Sequence, residues 1–235
     1  MPGDAVNGTV LLVGSVPEAF ADLVARELAA TGPAYSLFLS GGGTATECYR
    51  ALAGRPGLPW DRVDVFLGDE RCVPPDDPDS NHRMITEVLV GAVGPVHADH
   101  PMYVDGAPGA AAAAYQRLVE AVGRPDLVHL GLGPDGHTAS LFPGSTAAAD
   151  TRADHLVVTS TAPNGVNPHE RITLTFAGIA RARRVVVTVA GGSKHDALAR
   201  IMAGEDLPGG RLAGADLVWL VDADALGDLT PDAVG

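Results

Sequence analysis

Four short segments combine residue types that can hold an anion or move a proton. Ser40-Gly41-Gly42-Gly43-Thr44 places three consecutive glycines between an apolar run and a helical one. Glycine lets backbone approach a ligand closely, and a helix N-terminus offers unpaired N–H groups with a dipole that favours negative charge. No Gly-Lys-Ser/Thr follows, so this is not a Walker A loop. The segment reads as a phosphate cradle, set against the plainer reading of a tight strand–helix turn. Gly68-Asp69-Glu70-Arg71 gathers two carboxylates and a guanidinium. Those groups suit acid–base chemistry with a two-point grip on phosphate, or else an ordinary solvated charge cluster.

Gly131-Leu132-Gly133-Pro134-Asp135-Gly136-His137-Thr138 contains a formal GxGxxG. A dinucleotide site is rejected, because Asp135 would put a carboxylate where the pyrophosphate lies and Pro143-Gly144 leaves little room for a long helix. The bend is read instead as presenting the His137 imidazole to a cleft, with Asp135 near enough to orient it. Gly191-Gly192-Ser193-Lys194 sets an ammonium at a strand–helix junction, where it can face a phosphoryl group. Lys194 is the sole lysine among 16 basic residues, and its survival there is read as geometric rather than accidental. His97 and His100 are three apart with no third ligand in view, so no metal site is assigned. No GxSxG elbow is present.

The elements that must carry these segments alternate. Strands are expected at Val10–Val13, Tyr35–Leu39, Val63–Leu67, Leu127–Leu132, His155–Ser160, Val185–Ala190 and Leu217–Val221. Helices are expected at Pro17–Ala30, about Thr44–Ala53, Asn81–Leu89 after a Ser80-Asn81 cap, Ala110–Val122 and Lys194–Met202. Ile172–Thr175 reads as a strand or a helix start. Such alternation implies a mainly parallel sheet with helices on both faces, and such sheets bind ligands at the carboxyl ends of their strands. All four segments fall there.

Length and composition agree with one large α/β domain over residues 1–235: 46% hydrophobic, 19% charged, mean hydropathy +0.14. A net charge of −13 repels phosphate backbones and anionic lipid, so neither nucleic acid nor membrane is expected as a partner. No run reaches the ~18–20 apolar residues of a membrane span, and Met1–Thr9 does not read as a signal peptide. Cys48 and Cys72 lack metal-ligand spacing and read as reduced thiols in the cytoplasm. The Pro74–Asp79 loop reads as a solvated acidic surface, and a monomer is expected.

In this order the segments resemble the glucosamine-6-phosphate isomerase/6-phosphogluconolactonase family from roughly Val10 to Val221. The most specific stretch is Gly131 to Gly144, supported by Ser40–Thr44, Gly68–Arg71 with Ser80-Asn81, Arg171–Thr175, and Gly191–Lys194 with Ala197-Leu198. The resemblance implies a Rossmann-like sheet of the NagB/RpiA type. It implies hydrolysis of 6-phospho-D-glucono-1,5-lactone to 6-phosphogluconate, the second step of the oxidative pentose phosphate pathway, with no cofactor. By position, His137 is similar to the general base that activates water, and Asp135 to its holding carboxylate. Ser40, Gly41, Gly42, Gly43, Thr44, Arg71, Arg171 and Lys194 resemble the phosphate and substrate clamp. Asp69 corresponds to an acid–base carboxylate of the deaminase branch. That branch carries a Glu a few residues past Asp-Gly-His, where this chain has Leu141-Phe142-Pro143.

Overall fold

A computed structural model of the chain describes residues 6–163 and 169–229. Residues 1–5 of the Met1–Thr9 stretch, and both ends of the 1–235 span, lie outside the described residues.

Seven strands form a wholly parallel sheet: β1 (Thr9–Leu12), β2 (Tyr35–Leu39), β3 (Val63–Leu67), β5 (Ala98–Asp99), β6 (Leu127–Gly131), β9 (Arg184–Val189) and β10 (Leu217–Val221). Their spatial order is β1-β10-β9-β6-β2-β3-β5. The interior strands are near-continuous apolar runs because helices cover both faces; β2 and β10 are buried at every position. Helix α1 (Val16–Ala29) turns Phe20, Leu23, Val24 and Leu28 inward, and each such side chain contributes about 1.5–3 kcal/mol when fully buried. Phe38 of β2 and Phe66 of β3 stack at 4.5 Å between centroids. The edge strand β1 instead leaves Leu11 and Leu12 exposed.

A second, smaller sheet stands beside the mainly parallel frame that was expected. It is antiparallel, in the order β4 (Asp69–Arg71), β8 (Arg171–Leu174), β7 (Val157–Ser160). Three consecutive charged residues carry no alternating apolar signal, so only pairing with the distant β8 makes a strand of Asp69–Arg71. The helix expected at Asn81–Leu89 is α3 (Asn81–Ile85) followed by a wider π turn over Thr86–Val90.

Strands β2 and β6 are neighbours, yet β2 leads outward to β3 while β6 leads the other way to β9. Their following loops therefore diverge and leave a crevice at the carboxyl ends, the topological switch point where open α/β sheets bind ligands. The loop after β2 is Ser40–Gly42, and the loop after β6 carries His137.

Candidate active site

The crevice is a cavity of about 190 Å³, and it brings together almost every residue expected of the site. Ser40, Gly41, Gly42, Gly43, Thr44, Asp69, Arg71, His137, Arg171 and Lys194 all line it. Asp135 does not line it but contacts His137, which does.

The first wall comes from loops after parallel strands. Helix α2 (Gly43–Ala53) begins at Gly42, which takes φ +99° and provides no side-chain cap, so its first N–H groups are left for a ligand. Gly41 is required by close approach, since a Cβ there would lie 1.9 Å from Asn81 Oδ1. The Ser40 hydroxyl gives its one proton to the His129 carbonyl at 2.7 Å, which leaves it none to donate to an anion. Across the crevice, the His137 ring folds over Gly133, whose Cβ would come within 2.1 Å of it. His137 Nδ1 lies 2.5 Å from Asp135 Oδ1, and the same oxygen accepts the His137 backbone N–H at 3.1 Å. A carboxylate on Nδ1 fixes the tautomer and leaves Nε2 as the basic nitrogen. Burial alone would raise the Asp135 carboxyl, but the charge and N–H groups of His137 outweigh it and hold it below the usual range. Lys194 closes this wall at the start of the helix His195–Met202; burial pulls its ammonium downward, opposed by Asp135.

The second wall is the antiparallel sheet. Strand alternation sends Asp69 and Arg71 toward the cavity and turns Glu70 away. Glu70 is buried, and its oxygens accept the N–H groups of Arg71, Asn81 and His82 and the Ser80 hydroxyl, at 2.7–3.1 Å. Burial raises its carboxyl while those donors oppose the rise. It therefore pins the 71–82 loop rather than facing a substrate. Asp69 Oδ2 accepts from Ser140 Oγ at 2.5 Å and lies 3.7 Å from Arg171 Nη1.

The β4–β8 register sets Arg71 directly opposite Arg171. Like charges in that relation repel. Arg71 donates to the Asp79 carbonyl and to Asn81 Oδ1, and Arg171 has Asp69 and Ser140 nearby. Yet Nε of both arginines is buried without an acceptor among the described residues. Two guanidiniums with unspent donors beside a row of free amides form a cradle for a bound anion.

The chain matches the model of the family described as "Glucosamine-6-phosphate isomerases/6-phosphogluconolactonase" over residues 10–219. It belongs to that family. It is similar to a 6-phosphogluconolactonase of Synechocystis sp., with 41% identity over 83% of this chain and 85% of that one. A 6-phosphogluconolactonase of Mycobacterium tuberculosis is 36% identical over 93% of this chain and 94% of its own. Among solved structures, the 6-phosphogluconolactonase of Thermotoga maritima superposes with a TM-score of 0.78 at 32% identity, covering 91% of this chain and 97% of that one.

Cavity-lining residues that had been given no role in the site include Asn81, Ala139 and Thr188. Ser80 alone caps α3, so the polar Asn81 beside it is free to bridge the Asp69 carbonyl and Arg71, and the doubled cap residue was the available signal. Thr188 is the polar residue within the β9 apolar run. Ala139 left no signal; its φ of +46° is a left-handed strain of about 1–3 kcal/mol where the chain bends from His137 to Ser140. The Pro74–Asp79 loop, expected to be mere solvated surface, also supplies the Asp79 carbonyl to Arg71. Among the described residues, no helix is long and apolar enough to cross a membrane.

Proposed function

We propose that this chain hydrolyses 6-phosphogluconolactone to 6-phosphogluconate, with His137 as general base and the two-arginine wall as the phosphate clamp. The relatives' names support the reaction, and the observation that carries the residue assignment is a His–Asp dyad beside paired arginines in one cavity. Water attacks the lactone carbonyl carbon while His137 Nε2 takes its proton. The oxyanion is met by backbone N–H groups of the glycine-rich turns, and the resulting imidazolium returns the proton to the ring oxygen as the C–O bond breaks. Asp135 stabilises that imidazolium and prevents the ring from turning. The phosphate lies remote from the broken bond, so Arg71, Arg171, Lys194 and the amides of Gly41–Thr44 use its binding energy to orient the ring.

Asp69 acts in this reading as the counter-charge of Arg171, since its carboxylate already engages Ser140 and that guanidinium. Leu141 and Phe142, which stand where the resemblance places a deaminase carboxylate, are buried and apolar, and this favours the lactonase over the isomerase–deaminase reaction. A coupled assay with freshly generated lactone, corrected for spontaneous hydrolysis, tests the proposal. Acceleration abolished by His137→Ala is the expected result; tight phosphosugar binding with no acceleration would make the chain a sensor instead.

A further inference from the structure

Strand β6 carries a second histidine just upstream of the His137 loop. His129 is wholly buried at the centre of the parallel sheet, against Phe20 at 4.2 Å between ring centroids. Polar atoms in such a place must be paired, and here they are. His129 Nδ1 lies 2.8 Å from Tyr49 Oη, and Nε2 lies 2.9 Å from Thr188 Oγ1. Tyr49 Oη accepts the Ser40 N–H at 2.7 Å and lies 3.0 Å from the Ser40 carbonyl, so one hydroxyl grips both ends of the residue that begins the glycine loop.

Proton accounting selects one arrangement. Tyr49 has a single proton, and it serves Ser40 O best if His129 carries its proton on Nδ1 and donates to Tyr49. Thr188 then donates to Nε2, and every bond in the chain is 3.0 Å or shorter. The other tautomer sends the Thr188 proton to Leu130 O at 3.5 Å and leaves the Ser40 carbonyl without Tyr49. Burial pushes His129 down to about 3, so the imidazole stays neutral at any working pH.

We propose that His129 is a positioning residue for anion binding. Through Tyr49 it clamps the Ser40 peptide and so aims the amides of Gly41–Thr44 into the cavity, while Thr188 ties the same ring to the adjoining cavity wall. The idea rests on the phosphate reading of that cavity. Ser40 Oγ, bonded to the His129 carbonyl, fixes the same residue from its other side. His129 does not touch substrate, so it acts on affinity and leaves the proton-transfer step alone.

The test compares His129→Leu, His129→Asn and Tyr49→Phe with wild type, measuring Kd for inorganic phosphate, KM, kcat, the pH profile of kcat/KM and Tm. His129→Leu and Tyr49→Phe are expected to raise Kd and KM about tenfold, with kcat within about threefold and the pH profile unmoved. His129→Asn, which restores a donor toward Tyr49, is expected to recover most of that affinity. In the ligand-free protein, amide hydrogen exchange at Gly42 and Gly43 is expected to quicken in Tyr49→Phe. Folded variants with unchanged Kd and KM, whatever their Tm, would overturn the proposal. If His129→Leu does not fold, Tyr49→Phe keeps the ring in place and decides the matter. Lys194→Met serves as the control: if wild type ignores phosphate, or Lys194→Met does not weaken it, the phosphate reading itself fails. If Lys194→Met weakens binding while Tyr49→Phe and His129→Leu do not, only the clamp fails.

Discussion

The two walls of the cavity are built on opposite terms. The wall from the parallel sheet consists of glycine-bearing loops at Gly41, Gly42 and Gly133, and it presents amides, one imidazole and the Lys194 ammonium. The wall from the antiparallel sheet is set by pairing between residues about a hundred positions apart, and it presents Asp69, Arg71 and Arg171. On the first wall His137 is already held by Asp135, while the first amides of α2 stay uncapped. On the second, Nε of Arg71 and Nε of Arg171 have no acceptor among the described residues. In the proposed reading the proton-transferring group stands on the parallel side alone, whereas anion binding draws on both walls, with its guanidiniums on the antiparallel side.

The largest expected effect breaks the first wall. His137→Ala should lower kcat by about 10²–10⁴, the range for a general base, with affinity for inorganic phosphate kept. Turnover near wild type would take His137 out of the mechanism. Arg171→Met attacks the second wall and should do the reverse. It removes charge-assisted bonds of about 1.5–3 kcal/mol each, which raises KM and the phosphate Kd about ten- to a hundredfold with a smaller change in kcat. Phosphate at a hundred times its Kd should stabilise wild type by about 2.7 kcal/mol and move Tm by several degrees, a stabilisation cut to about 0.4–1.4 kcal/mol in this variant at the same concentration. A fall in kcat with unchanged affinity would erase the distinction between the walls. Lys194→Met sharpens the comparison, since it sits on the first wall but carries a binding task. Its half-buried, single ammonium should be worth about a tenfold rise in KM, less than Arg171.

The same division explains what was legible in the residues. Tyr35–Leu39, Val63–Leu67 and Leu217–Val221 lie where expected, because buried parallel strands are near-continuous apolar runs and need no partner to announce them. The glycine loop, His137 and Lys194 were legible for a related reason: strand-end position and glycine content are local properties. The facing of Arg71 by Arg171 was not, because register between distant strands appears in no short window. Asp69 and Glu70, read together as a carboxylate pair, turned out to face opposite ways, and only the strand period of β4 separates cavity wall from loop anchor. His129 was missed because a histidine within an apolar strand gains its meaning from Tyr49 and Thr188, which other elements bring to it.

The smallest expected effect concerns the support behind the second wall. His82 gives its backbone N–H to Glu70, and its Nε2 lies 2.8 Å from Asp99 Oδ2, so the Arg71 loop is tied to the edge strand β5. The hydrogen bond to Asp99 raises the His82 imidazole above its ordinary value; burial opposes this, and the charges of Asp99 and Glu70 add to the rise. A group raised on folding contributes stability that is fully present below its unfolded value, about 6.5, and is lost as pH rises through the folded value. Both partners keep some solvent contact, which limits the pair to about 1 kcal/mol or less. Tm should therefore fall by about 2–4 °C at most as pH is raised from below 6.5 through the raised His82 value, and His82→Gln should flatten that slope. Because His82 supports the binding wall alone, the same pH interval should weaken phosphate affinity more in wild type than in His82→Gln, while kcat for the two proteins changes in parallel. A Tm slope that survives in His82→Gln would place the titrating group elsewhere and detach this edge from the second wall.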